Sequence, residues 1–368
     1  MAPRLPRHVK TLDSMRALSA LAVFVSHILQ IFWLPLIGLG NWVHQTNNQV
    51  SESAVIVFFL LSGYLITMSI WKNISRAGHF SLVEFAAARI ARIYPPLLCA
   101  ILVGLAVFAL IKLTGLPGAT TPLRHPSDLY AARGILAVSA GEIKNSLMMR
   151  SGLLDINGPL WSLYIEVQLY AAAGAAAFLL RGRGTPLWRI VAGAVFAALL
   201  CSGIYSLPDY LLYGAWWLIG ATFFLCQFSA HRNLLLALSC GSLTGAVVYF
   251  SHTTLPAETA RLVAMITLAY LMFFVWSWES PWLENVARFS YTLYLIHFPI
   301  LILCYSIFLS LQTAPPPSLA ERAAASFLGL TLAFVAAWRL GRPAENTRFF
   351  KAIILSSFYR VTRKTPAA

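Results

Sequence analysis

The sequence predicts an all-α, polytopic integral membrane protein with about ten transmembrane helices and both termini in the cytoplasm. Its composition, its regularly spaced apolar runs and the placement of its basic residues predict this class. Of 368 residues, 59% are hydrophobic and 11% are charged, whereas soluble domains carry about 25% charged residues. This composition excludes an ordinary soluble enzyme, a disordered chain and a secreted disulfide scaffold.

Apolar runs of roughly 20 residues, the length that crosses a bilayer as a helix, recur along the whole chain. The predicted spans are residues 15–37, 54–71, 95–115, 159–180, 187–206, 209–228, 233–250, 261–279, 287–310 and 322–340. The first run is too long for the apolar core of a signal peptide, so we expect it to be retained as a membrane helix. A short helix is expected at 81–93, in the loop before the third span.

The basic residues predict the orientation. With a cytoplasmic N-terminus, 20 of the 27 Lys and Arg residues lie on the inner side, as the positive-inside rule requires. This bias accounts for most of the net charge of +14 without a nucleic-acid partner. Residues 1–346 are predicted to form the membrane domain. Residues 347–368 are predicted to form a cytoplasmic tail, with an amphipathic helix on the inner leaflet because aromatic and basic residues alternate there.

The first span carries Arg16 and His27, two ionisable residues on one face. They are eleven residues apart, which is close to three helical turns and a rise of about 16 Å. Arg16 is therefore expected near the cytoplasmic surface, where Asp13 can pair with it, and His27 near the middle of the bilayer. An ionisable group at that depth is expensive and suggests a functional site. A histidine that only hydrogen-bonds a neighbouring helix is the structural alternative.

Two further spans place polar groups at a similar depth. Ser162 and Glu166 share one face of the fourth span, with Glu166 about 10 Å below its outer end. Ser290, Tyr294 and His297 recur along the ninth span. Equal depth predicts one intramembrane chamber. Structural roles remain open, namely a carboxyl group that anchors two helices and a packed histidine.

Arg89 and Arg92 lie one helical turn apart at the predicted inner surface. Two guanidinium groups at this spacing can bind phosphates, and anchoring by the positive-inside rule is the alternative. On the second span, Ser62 and Gly63 allow either close approach of a ligand to the backbone or close packing of another helix.

Taken together, five motifs resemble the bacterial membrane acyltransferase family 3 over residues 11–345. In chain order they are Arg16-x10-His27, Phe58-Phe59-Leu60-Leu61-Ser62-Gly63-Tyr64, Arg89-x-x-Arg92-Ile93-Tyr94-Pro95, Pro159-Leu160-Trp161-Ser162-Leu163-x-x-Glu166 and Ser290-Tyr291-x-Leu293-Tyr294-Leu295-Ile296-His297. One departure is Asp13-Ser14-Met15 before Arg16, where relatives often have glycine.

The resemblance implies an O-acyltransferase of the bacterial inner membrane. Such an enzyme moves an acyl group, usually acetyl, from cytoplasmic acyl-CoA to a hydroxyl of an exopolysaccharide, lipopolysaccharide or lipo-oligosaccharide. The implied partners are acetyl-CoA or another acyl-CoA as co-substrate, a glycan or lipid-linked glycan acceptor, and membrane lipids. The resemblance also implies a catalytic role for His27 and CoA binding by Arg89 and Arg92. The sequence shows no metal-binding cluster, and no metal is expected.

These residues support a mechanism in which His27 is the general base, Arg16 stands beside the donor's path, and Glu166 orients the imidazole. Supporting roles are assigned to Asp13, Ser162, Tyr294 and His297. Alternatively, His27 carries the acyl group itself. A transporter or flippase for a lipid-linked glycan is a rival function, because His and Glu could form a proton relay. That function predicts inverted repeats, which the sequence lacks. A structural subunit of a glycan-assembly complex is a second rival.

Overall fold

The computed structural model describes residues 9–123, 134–206, 209–228, 233, 264–271, 273, 280–312 and 318–364. Within these residues the chain is helical, without a β-strand, and seven helices are long and apolar enough to cross a membrane. The predicted all-α membrane fold is therefore confirmed. The predicted spans 233–250 and 261–279 lie largely outside the described residues. The total of ten spans and the side of the termini stay predictions.

The helices are α1 (Val9–Ile28), α2 (Leu34–Ile37), α3 (Trp42–Ala77), α4 (Leu82–Thr114), α5 (Ala140–Leu147), α6 (Leu160–Arg181), α7 (Pro186–Ser206), α8 (Tyr210–Cys226), α9 (Pro281–Ala287), α10 (Ser290–Ser310), α11 (Leu319–Ala344) and α12 (Thr347–Lys364). A π-helical turn, Leu29–Trp33, continues α1. Residues 264–270 are also helical.

Helices α3 and α4 are longer than the sequence predicts. Their 36 and 33 residues correspond to about 50 Å each, whereas the hydrocarbon core is about 30 Å thick. The expected separate helix at 81–93 is wrong, because α4 runs through Pro95 and Pro96 without a break. A proline removes one intrahelical donor, and a helix in a membrane protein tolerates this where neighbouring groups compensate.

The glycines of α3 and α8 bring these two helices into backbone contact. A Cβ atom on Gly63 would lie 1.9 Å from the carbonyl oxygen of Trp217, and one on Gly220 would lie 2.0 Å from that of Leu60. Only a residue without a side chain fits either position. The packing role considered for Gly63 is therefore the one the structure shows.

Helix α10 forms the centre of the bundle and packs against α1, α4 and α11. Its Pro299 has no N–H, so the carbonyl of Leu295 loses its helical partner. The side chain of Asn157, from the segment before α6, donates to that carbonyl over 2.7 Å. This contact fixes the N-terminal end of α6 to the first half of α10.

The predicted tail forms a real helix, α12, which packs along α4. Between α11 and α12, the Glu345 carboxylate is 4% exposed and accepts the backbone N–H of Thr292 over 2.8 Å. This contact ties the start of α12 to the centre of the bundle. The location of α12 on the inner leaflet stays a prediction.

Candidate active site

Arg16 bridges α1 to the start of α10. Its guanidinium lies 3.1 Å from Asp13, as the spacing predicts. It also donates to the carbonyl of Ala287 over 3.1 Å and to the hydroxyl of Ser290 over 3.4 Å. These contacts fix the guanidinium at one end of the interface between α1 and α10.

His27 forms a pair with His297. Its Nδ1 lies 2.7 Å from Nε2 of His297, and the two rings are nearly parallel, with centroids 5.0 Å apart. The two histidines, which the sequence predicts at similar depth on different helices, are therefore in direct contact. His297 is fully buried.

The contacts of His297 assign the protons in this pair. Its Nδ1 lies 2.9 Å from the carbonyl oxygen of Leu293. That oxygen can only accept, so Nδ1 of His297 carries a proton. In the neutral ring Nε2 then accepts, so Nδ1 of His27 donates to it. The remaining nitrogen of His27, Nε2, carries a free lone pair, which a general base needs.

Glu166 has partners other than His27 in the described residues. Its Oε1 accepts the hydroxyl of Tyr170 over 2.6 Å, and Ser62 donates to Tyr170 over 3.2 Å. The indole of Trp217 donates to Ser62 over 3.2 Å. The structure thus places Glu166 in a hydrogen-bond chain that joins α6, α3 and α8, and the position next to His27 belongs to His297.

A contact one turn above Glu166 links α6 to α10. The hydroxyls of Ser162 and Tyr294 lie 2.7 Å apart. The ring of Tyr294 lies 6.1 Å from that of His297 and 5.2 Å from that of Phe58, measured between centroids. Tyr294 therefore stands between the histidine pair and the polar groups of α6.

Arg89 and Arg92 differ in their partners. Arg92 lies 3.9 Å from the carboxylate of Glu345. Arg89 donates to the hydroxyl of Ser69 over 3.4 Å and lies over the ring of Tyr170. Its Nε is buried without a hydrogen-bond partner in the structure. A buried donor of this kind is expensive unless a ligand completes it.

A cavity of about 460 Å³ joins these groups, within the usual range for small-molecule sites. Arg16, Arg89, Arg92, Glu166 and Tyr294 are among the residues that line it. His27 and His297 are not among the lining residues, and the ring of His297 contacts that of Tyr294. The site residues thus form one cavity with an adjoining histidine pair.

Sequence reasoning missed the cations at the mouth of the cavity. Lys72 and Arg76 come from the end of α3, and Lys351 comes from α12. Their positions fit the positive-inside rule, so the sequence gave no separate signal for them. Glu345 was also missed, although an acidic residue directly after an apolar span at the basic end is an unusual feature.

Comparison with known proteins identifies the family. The model of a family described as an acyltransferase domain, acyltransferase 3, matches residues 9–338. The chain belongs to the acyltransferase 3 family. An O-acetyl transferase of Shigella phage Sf6 is 25% identical over 78% of this chain and 83% of the relative. Acyltransferase MdmB of Streptomyces mycarofaciens is 31% identical over 55% of this chain and 47% of the relative. No solved structure matches the chain.

Family membership and the helical fold together establish a multi-pass membrane O-acyltransferase. An enzyme of this class uses an acyl donor and an acceptor substrate. The rival functions considered from the sequence, a flippase and a structural subunit, do not account for this membership. Within the described residues no group of three or more metal-ligating side chains occurs.

Proposed function

We propose that this O-acyltransferase moves an acetyl group from cytoplasmic acyl-CoA to a hydroxyl of a surface or exported glycan. The observation that carries the proposal is the cationic cavity that leads from the basic end of the bundle to the side of the His27–His297 pair. Six cationic side chains line it against two carboxylates, Glu84 and Glu166. The excess positive charge suits a ligand with several phosphates.

The contacts in the cavity support one position for the donor. Arg89, with its unpartnered buried Nε, and Arg92 would bind the diphosphate. The pantetheine arm would extend along the face of α1 that carries Arg16. Arg16 and His27 are eleven residues apart, which corresponds to a rise of about 16 Å. The thioester would then lie beside Tyr294, whose ring must turn aside to expose His27.

His27 would act through Nε2. This nitrogen takes the proton of the acceptor hydroxyl while the hydroxyl oxygen attacks the thioester carbon. When the carbon–sulfur bond breaks, the imidazolium returns the proton to the leaving CoA thiolate. His297 holds Nδ1 of His27 by accepting its proton in a hydrogen bond, which keeps Nε2 free of hydrogen.

An acyl-enzyme route uses the same atoms in a different order. Nε2 of His27 attacks the thioester carbon first, the carbon–sulfur bond breaks, and CoA leaves as the thiolate, which takes a proton from water. The acceptor hydroxyl then attacks the acyl carbon, its proton passes to solvent, and the carbon–nitrogen bond breaks to restore neutral His27. The two routes separate in one experiment on purified protein without acceptor. Exchange of labelled CoA into unlabelled acetyl-CoA requires the acyl-enzyme, and its absence supports direct transfer.

Transfer of label from acetyl-CoA to glycan in membrane vesicles tests the whole proposal. His27→Ala should abolish incorporation, whereas His79→Ala, outside the cavity, should leave it intact. Full incorporation by His27→Ala would overturn the mechanism. Mass spectrometry of surface glycans from cells with and without the gene would identify the acceptor, and unchanged glycan acetylation would overturn the assignment of acceptor class.

A further inference from the structure

We infer that the mouth of the cavity is a second phosphate-binding subsite, formed by Lys72, Arg76 and Lys351, which holds the 3′-phosphate of the donor nucleotide. The inference rests on the proposed function, because it takes CoA as the donor. It adds a site for one phosphate that the Arg89–Arg92 pair does not account for.

The three cations come from two separate helices. Lys72 and Arg76 are four residues apart on the last turns of α3 and share a face. Lys351 comes from the first turns of α12. The carboxylate of Glu84, at the start of α4, lies 3.4 Å from Arg76 and 4.0 Å from Lys351. One carboxylate thus gathers two cations, and with Lys72 the mouth keeps an excess of two positive charges.

The rim of the mouth is held by the side chain of Asn73. Its Nδ2 donates to the carbonyl of Ser81 over 3.0 Å, and its Oδ1 accepts the backbone N–H of Ser81 over 2.8 Å. These two bonds close the turn between α3 and α4. They fix the backbone that carries Lys72 and Arg76 relative to the start of α4, where Glu84 contacts Arg76.

The distance from the mouth of the cavity to Arg89 and Arg92 fits the length of one nucleotide. Along α4, Arg89 is five residues from Glu84, a rise of about 7.5 Å, and Arg92 is eight residues away, about 12 Å. The ribose of CoA carries a phosphate on its 3′-oxygen and the diphosphate on its 5′-oxygen, so the two groups lie several ångströms apart on one sugar. The diphosphate would lie at the arginine pair and the 3′-phosphate at the mouth.

The side-chain exposures fit this order along the cavity. The side chain of Arg76 is 69% exposed and that of Lys351 is 30% exposed, so the mouth meets solvent. A phosphate bound there remains in contact with water. Its main effect is to make the protein prefer CoA to a ligand that lacks the 3′-phosphate. Each exposed charge pair contributes modestly to the binding free energy, so we expect the affinities for CoA and 3′-dephospho-CoA to differ about tenfold.

Equilibrium binding to the purified full-length protein in neutral detergent tests the subsite, with CoA and 3′-dephospho-CoA as probes. The wild type should bind CoA about tenfold more tightly. Lys351→Met should bring the two affinities together by weakening CoA alone, and Lys72→Met should do the same if Lys351→Met fails to fold. Arg348→Met is the matched control, because it removes one charge from α12 at an exposed position outside the cavity. It should keep the tenfold ratio.

Three results would overturn the inference, and only one of them also contradicts the proposed function. Equal binding of both probes by the wild type removes the subsite but leaves the CoA donor in place. If neither CoA nor 3′-dephospho-CoA binds, the assignment of CoA as the donor is itself contradicted. If phosphatidylglycerol stabilises the wild type but not Lys351→Met, while both probes bind equally, the mouth holds a lipid headgroup.

Discussion

Replacement of His297 tests the histidine pair more directly than any other change. In His297→Leu, Nδ1–H of His27 loses its acceptor inside the bundle. An unpaired buried donor costs about 1–3 kcal/mol, and each 1.36 kcal/mol in the barrier is a factor of ten in rate. We therefore expect the maximal rate to fall about 10- to 100-fold. Because His297 does not line the cavity, the KM for acetyl-CoA should stay within twofold.

A conservative variant separates positioning from packing. In His297→Gln, the amide oxygen can accept Nδ1–H of His27 in place of the imidazole nitrogen, so most of the loss should be restored. Cys304→Ala, two turns further along α10 and also buried, measures the cost of altered packing in the same helix. It should leave the rate near the wild-type value.

The assay is incorporation of label from acetyl-CoA into glycan by membrane vesicles, with the rate divided by the amount of folded protein. Folded protein is measured by the size-exclusion profile after purification. A His297→Leu variant with the full rate would refute the positioning role. So would a folded His297→Gln no more active than His297→Leu. A raised KM at unchanged maximal rate would instead place His297 in donor binding.

The remaining predictions concern packing and charge. Gly63→Ala places a methyl group against the carbonyl of Trp217 and should destabilise the protein by about 1–3 kcal/mol or more, seen as a lower midpoint of thermal unfolding; an unchanged midpoint would contradict the α3–α8 contact. Arg89→Met should weaken CoA binding at least tenfold with little change in the unfolding midpoint, because loss of the contacts with Ser69 and Tyr170 is offset by removal of a buried donor without a partner; equal affinity would remove Arg89 from the donor site. Glu345→Gln keeps an acceptor for Thr292 but removes the charge beside Arg92, so the unfolding midpoint should fall while the affinity for CoA rises; a loss of affinity would indicate that Glu345 helps to position the donor.

The sequence predicted relations along one helix, because helical rise and period depend only on residue spacing. Asp13 pairs with Arg16 as the spacing predicts, and His27 and His297, which were expected at the same depth, are in contact. It did not predict lateral neighbours, since a period of 3.6 residues defines a face without naming the helix that packs against it. For this reason Glu166 was expected beside His27, where the structure places His297.

The cations at the mouth show a second limit. Every cytoplasmic loop of a membrane protein is expected to be basic, so Lys72 and Lys351 had no pattern of their own. Their convergence depends on the fold of α12 back along α4, which is a tertiary contact. The continuous helix α4 is a third case, because a Pro-Pro sequence predicts a boundary in isolation and is accommodated here by packing.

The proline in α10 has a consequence for biogenesis. A helix inserted alone into lipid with a free carbonyl at Leu295 carries a penalty of several kcal/mol, and that carbonyl is completed by Asn157 from another part of the chain. Synthesis delivers Asn157 to the membrane long before α10 emerges from the ribosome. The hydrogen-bond donor is therefore in the membrane before its acceptor. Helix α10 gains its full stability only when it packs beside α6. The helix that carries His297 therefore joins a site whose residues on α1, α3, α4 and α6 are synthesised before it, and Lys351 of α12 is added afterwards.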